Sequence, residues 1–264
     1  MAQQLKAYTL GKGVLRFDRF PSNVVTSTTQ GIGERDMGNC PSFTINTTSE
    51  ELEHFSSRGG VKELDANVTL STTRAANITC DNVTPENIAR IFLGESADLV
   101  EAPASAVVHN LPVAKRGHYY QIGTSLTTPS GVRNISNVAV NTTTPTLISQ
   151  VGNYEVDAER GTIFILDDAP DIDDIELNVT YDVAGSTRSQ IISGKTTISG
   201  ALRYIADNTG GENIDYYMPY VTLSPSGDIS LIGDEWMTLS FSCKVLVKAQ
   251  GIAALYGDSQ SILT

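Results

Sequence analysis

Short runs rich in Thr, Val, Ile, Ser and Asn, broken by Gly or Asn-Gly-type punctuation about every ten residues, constrain this chain more than any other feature. Such runs bury one face by period-two alternation, and the breaks supply the turns between antiparallel strands. Tyr8–Phe20 opens with alternation around Gly11 and Gly13, and Pro21–Gly33 then reads as a polar loop. Phe43–Thr47 and Leu64–Leu70 alternate cleanly, which predicts two strands with one face of each on a core. Between them, Glu50–Lys62 reads as a charged loop ending in Gly59-Gly60. At 264 residues the chain is long enough for one large all-β domain or two modest ones.

One helix signal interrupts this texture, at Thr84–Gly94. Thr84 is placed as N-cap, Pro85 at the first helical position and Gly94 at the left-handed position after the helix. Ile88, Ile91 and Phe92 form the apolar stripe that docks on a sheet. From about Pro103 a self-contained set of strand signals begins. It comprises Val107–Val113, Gly117–Gly123, Val132–Val140, Tyr154–Asp157, Thr162–Leu166 and Ile175–Tyr181. Strands in that number can close a small sandwich. We therefore expect a β domain over 104–186 inserted into a larger β core made of 1–103 and 187–264. In the second core segment the candidates are Gln190–Ile198, Ala201–Ile205, Tyr216–Leu223 and Met237–Val247, followed by an extended tail. Gly200 marks a strand edge or bulge.

The net charge of -12 argues against sequence-reading nucleic-acid binding, which needs a basic face. Residues 151–185 alone hold 10 Asp/Glu against 1 Lys/Arg. The densest part, Asp167–Glu176, invites a calcium reading, but its spacing does not match an EF-hand, and a solvated acidic loop is expected. Cys40, Cys80 and Cys243 have no CxxC spacing, and buried thiols are expected. His54, His109 and His118 sit on different elements without metal-ligand spacing, and His118 reads as a half-buried neighbour of Tyr119 and Tyr120. There is no GxSxG elbow, and Gly11-Lys12-Gly13 lacks the rest of a phosphate loop. No catalytic residue, cofactor or metal is expected. The N-terminus has no apolar secretion segment, so the Asn-x-Ser/Thr triplets are read as products of Asn- and Thr-rich strands. No uncharged apolar run approaches the ~18 residues of a membrane helix.

Several phrases in order resemble the tail tube (major tail) proteins of long-tailed bacteriophages. They are Leu10–Gly13 with Phe17-Asp18, Gly33–Asn39, Glu53–Ser57 with Gly59-Gly60, Asp81–Asn87, and Pro219–Val221 through Pro225–Gly227 to Glu235-Trp236. The resemblance implies a mainly β, tail-tube-like sandwich or barrel of two antiparallel sheets with one short flanking helix. It also implies assembly as a homo-oligomer of stacked hexameric rings forming the conduit for DNA ejection. The partners so implied are the tape measure protein and phage DNA in the lumen, baseplate or tail-tip and terminator proteins at the ends, and a sheath protein if the tail is contractile. The location implied is the virion, with the bacterial host cytoplasm during assembly, and no membrane. The inserted segment resembles small Ig-like add-on domains of virion proteins, through Tyr154–Asp157 and Gly161–Ile163, and is expected on the outside of the tube.

On physical grounds an open sheet edge is a liability unless another subunit pairs with it. Contacts between rings are expected in the mixed-charge segment carrying Glu50, Glu51, Glu53, His54, Arg58 and Lys62. The alternative is a β-sandwich adhesin or carbohydrate-binding module, for which Tyr119-Tyr120 and Tyr216-Tyr217 are the candidate platforms.

Overall fold

Alternation does become strand almost throughout. A computed structural model describes residues 8–144 and 146–260. In chain order the elements are β1 (Gly13–Arg19), β2 (Glu34–Asp36), β3 (Ser42–Ser56), β4 (Glu63–Cys80), α1 (Pro85–Ile91) and β5 (Glu95–Glu101). There follow β6 (Ala104–Ala114), β7 (Tyr119–Gln121), β8 (Ile135–Thr142), β9 (Leu147–Ile148), β10 (Tyr154–Asp157), β11 (Thr162–Ile165), β12 (Ile175–Val183) and β13 (Ser186–Ile192). The last are β14 (Ile198–Ala206), β15 (Ile214–Pro225), β16 (Leu239–Val245) and β17 (Tyr256–Ser259). The protein is mainly β, and its named strand pairs are antiparallel.

Two compact units divide the chain, Met1–Ala97 with Ile191–Thr264, and Asp98–Gln190. In the first, the strands run β2-β1-β14-β15-β16-β4-β3, with β17 also paired to β15. This is one continuous sheet where two were expected. It coils so that its halves face each other: the Phe43 ring on β3 stacks at 5.6 Å on Tyr204 of β14, several strands away in the sheet. One core of Leu15, Phe17, Ile78, Leu202, Met218 and Phe241 fills the interior. The bulge sits at Gly200, where the register of β14 on β15 shifts, and a Cβ there would lie 2.5 Å from the Phe17 ring.

Helix α1 begins as its sequence dictates, with the Thr84 hydroxyl accepting from the Asn87 backbone N–H at 3.2 Å. Its end differs from expectation. Leu93, not Gly94, takes the left-handed conformation (φ 53°) in a Schellman turn closed by Gly94 N–H donating to the Ala89 carbonyl at 2.8 Å. Gly94 is required for another reason, since a Cβ there would collide with the Ile192 carbonyl. The buried face also differs, because Phe92 is exposed while Asn87 and Arg90 are buried. The Asn87 side-chain amide donates to the Met37 and Asn82 carbonyls, each at 2.9 Å, so it ties the helix to the preceding loop.

The cysteine expectation is corrected in part. Cys243 is a buried thiol, its pKa pushed up to about 12 by burial. Cys40 and Cys80, however, form a disulfide. The β3–β4 register, with Ser42 opposite Thr79, brings the two cysteines together although 40 positions separate them. A crosslink of that span removes roughly 4 kcal/mol of unfolded-chain freedom in the chain-entropy account. Urea denaturation with and without dithiothreitol measures this, and the double variant Cys40→Ser/Cys80→Ser is expected to match the reduced protein.

The Asp98–Gln190 unit is a sandwich of a four-stranded sheet (β6-β12-β8-β9) and a three-stranded sheet (β10-β11-β7). Ile163 and Ile165 from the smaller sheet pack with Leu111, Val140 and Leu177 from the larger, all buried. The two passages of the chain between the units, β5 and β13, pair with each other. The sequence assigns β5 to no element, and the strand expected over Gln190–Ile198 is strand only at Gln190–Ile192, the end of β13, and at Ile198, where β14 begins. The side chain of Asp182 holds the irregular end of β12, where its register on both β6 and β8 shifts. It accepts from the Ala106 backbone N–H at 2.7 Å and the Asn137 side-chain amide at 2.7 Å, and Ala106 and Asn137 both have positive φ. The Asn137 bond and then the Ala106 bond hold its carboxyl below the usual carboxylate range. A depressed folded-state pKa contributes stability above the unfolded value and loses it as pH falls through the folded one. Stability of this unit is therefore expected to decline on acidification through and below the carboxylate range, and to decline less in Asp182→Asn; acid titration of the melting temperature tests it.

Candidate functional site

The six candidate interface residues fall together on one feature, though it is not the loop that was expected. Strand β3 runs on through Ser56 and β4 resumes at Glu63, leaving only residues 57–62 as a turn. Glu50, Glu51, Glu53 and His54 are strand residues, and only Arg58 and Lys62 belong to the turn. The alternation at Leu64–Leu70 does make a strand, but it rests on no core: every residue of Glu63–Thr73 is exposed.

Topology explains the exposure. Strand β16 pairs with β4 only over Arg74–Cys80. Beyond Arg74 the β3–β4 pair therefore continues with no third strand among the described residues, as a two-stranded arm from Thr48–Thr73 outward. Strand residues Thr48–Ser56 carry it about 30 Å at the usual rise. Two register shifts, between Glu50 and Glu51 and between His54 and Phe55, bend it. Between those shifts Leu52 lies opposite Val68 and His54 opposite Ala66 on one face, with Glu51 opposite Thr69 and Glu53 opposite Asn67 on the other. Leu52 and Val68 are 60% and 59% exposed, and Phe55, Leu64 and Leu70 are also exposed.

Polar contacts within the arm occupy part of the candidate set. The Thr48 and Thr73 hydroxyls meet at 2.7 Å at its base. Asn67 donates to Glu51 at 2.6 Å, Ser71 donates to Glu50 at 3.2 Å, and His54 pairs with Asp65. Among the described residues, Glu53, Arg58 and Lys62 have no side-chain partner, so their charges remain available to another molecule. The apolar arm residues were absent from the candidate set. Their signal, the Leu64–Leu70 alternation, is the same one a core strand gives.

The remaining chemistry-bearing residues are dispersed. His118 is exposed rather than half-buried, and its Nδ1–H donates to the Arg116 carbonyl at 2.6 Å. Burial lowers the pKa of His109 on β6. In the acidic stretch, Asp171 accepts from Asn153 at 2.9 Å, Asp174 pairs with Lys115 at 3.5 Å and Asp173 lies 3.8 Å from Arg116. Among the described residues no three His, Cys, Asp or Glu side chains cluster as metal ligands. Nor is any helix there long and apolar enough to cross a membrane.

A family model described as "Protein of unknown function UCP028589" matches residues 20–256. The chain belongs to that family. The family match spans the arm, α1 and the whole of the Asp98–Gln190 unit. No curated protein matches the chain.

Proposed function

We propose that this protein is a structural subunit that polymerises through its β3–β4 arm, in the manner of a phage tail tube: hexameric rings that stack into a conduit for DNA. The observation that carries the reading is the arm. A two-stranded ribbon is marginal in water, and this one displays apolar side chains on a long strand whose outer edge is unpaired among the described residues. A neighbouring copy supplies what such a ribbon lacks, in buried apolar area and in backbone partners. Head-to-tail pairing of that kind closes into rings when the rotation permits and into open filaments otherwise.

The resemblance of the ordered phrases to tail tube proteins supports a setting in the virion, with DNA and a tape measure protein inside. The coiled β unit and single short helix fit that setting. Negative-stain electron microscopy at high protein concentration, beside mass in solution, tests the reading. Rings or tubes with a central hole are the expected result. A chain that stays monomeric and binds glycans through Tyr119-Tyr120, of which Tyr119 is exposed, or through the half-buried Tyr216-Tyr217 would overturn it in favour of a carbohydrate-binding module.

A further inference from the structure

We propose that the loop Ser226–Met237 of one copy docks through Trp236 into an arginine-lined cavity on the next copy, an inference that rests on the self-assembly reading above. The cavity, about 590 Å³, opens beside α1 and the end of β1. Its walls include Phe17, Phe20 and Ile32 and three cations, Arg19, Arg35 and Arg90. Two of the cations are neutralised locally: Arg19 pairs with Glu95 at 3.3 Å and Arg35 with Glu86 at 3.0 Å. Arg90 is not. It is 8% exposed, its guanidinium lies 5.5 Å over the Phe17 ring, and its side-chain hydrogen bond goes to the neutral Asn87. Among the described residues no carboxylate lies within salt-bridge distance of it. Burial draws its pKa down to about 10, Glu86 opposes that shift, and Arg35 and Arg19 add to it. The group remains charged at neutral pH, so the cavity holds one cation more than its carboxylates balance. A buried unpaired charge is costly, and an incoming carboxylate offsets that cost.

The loop between β15 and β16 has the complementary chemistry. Residues 226–237 contain Asp228, Asp234 and Glu235 and no Lys or Arg. At its tip Ile232 is 96% and Trp236 94% exposed, and Leu231 is exposed beside them. Trp236 is the only tryptophan of the chain. None of these loop residues lines the cavity of its own copy. A fully solvated indole flanked by carboxylates fits a cleft with apolar walls and guanidinium groups, because tryptophan is the strongest aromatic partner of arginine. The cavity volume also falls in the range, about 300–1,000 Å³, typical of binding pockets. Knob and hole occupy different parts of one surface, which is the arrangement that propagates head to tail.

The sole tryptophan reports its own docking. In the wild-type assembly the emission is expected to move to shorter wavelength and acrylamide quenching to fall relative to dilute monomer. Trp236→Ala, which touches no core, is expected to raise the concentration needed for assembly at least about thirtyfold, as anchor residues do. Arg35→Glu and Glu235→Arg should each weaken assembly roughly tenfold, and the double charge exchange should recover most of the loss. If the wild type assembles while Trp236 stays as quenchable as in the monomer, or Trp236→Ala assembles at the wild-type concentration, the docking is overturned and the assembly reading stands. A tryptophan already shielded in dilute monomer overturns it too, by placing the loop on its own chain. A wild type that never assembles overturns both.

Discussion

Replacing Ser49–Thr72 with an Asn-Gly turn is expected to abolish polymerisation and leave the fold intact. The cut falls just outside the Thr48–Thr73 pair, whose hydroxyls meet at 2.7 Å, and Asn-Gly supplies the tight hairpin turn that an antiparallel pair needs. Everything that holds the first unit together lies on the retained side. The Ser42–Thr48 ladder with β4, the pairing of β4 with β16, the Cys40–Cys80 disulfide and the entire buried core are untouched. Removal of exposed residues with no core contacts changes stability by no more than about 1 kcal/mol. Circular dichroism and thermal denaturation should therefore match the wild type, while electron microscopy and mass in solution show only monomer. Normal tubes from this variant would remove the arm from the assembly mechanism. Loss of folding would show instead that the ribbon supports the sheet it extends from.

A second large effect is expected in the other unit. Leu177, the third residue of β12, lies opposite Leu111 on β6 and Thr142 on β8 and is fully buried in the Asp98–Gln190 core. Leu177→Ala removes transfer free energy and leaves a cavity, together costing about 2–5 kcal/mol. In a unit of this size that lowers the melting temperature by at least about 8 °C. The two cores share no residue, so calorimetry should show two transitions, only one of which moves. A single transition displaced as a whole would mean that the units unfold as one cooperative body.

Much of this was legible in the residues because it depends on near neighbours in the chain. The strands from β1 to β16 that alternate cleanly were placed by period two. The start of α1 was fixed by Thr84 and Pro85, since a cap is a contact across three residues. The end of α1 was misjudged, because Gly94 serves a close backbone approach to Ile192 that no local pattern announces. The six candidate residues were chosen for their mixed charge and lie on the arm, and the apolar residues beside them carry no local sign of their exposure.

That difference separates what the sequence by itself determined from what only the tertiary structure decided. Period, caps and turns act over a few residues, so the mainly β character and most strand positions follow from the chain alone. Exposure is set by what lies against a strand. Ala76 and Ile78 of β4 are fully buried, while Val68 and Leu70 of the same strand stand in solvent, because β16 stops opposite Arg74. The Cys40–Cys80 bond has the same origin, in a register that joins residues far apart in the chain. An alternating strand states which side chains share a face, and only the neighbouring strands decide whether that face becomes a core or a surface for another molecule.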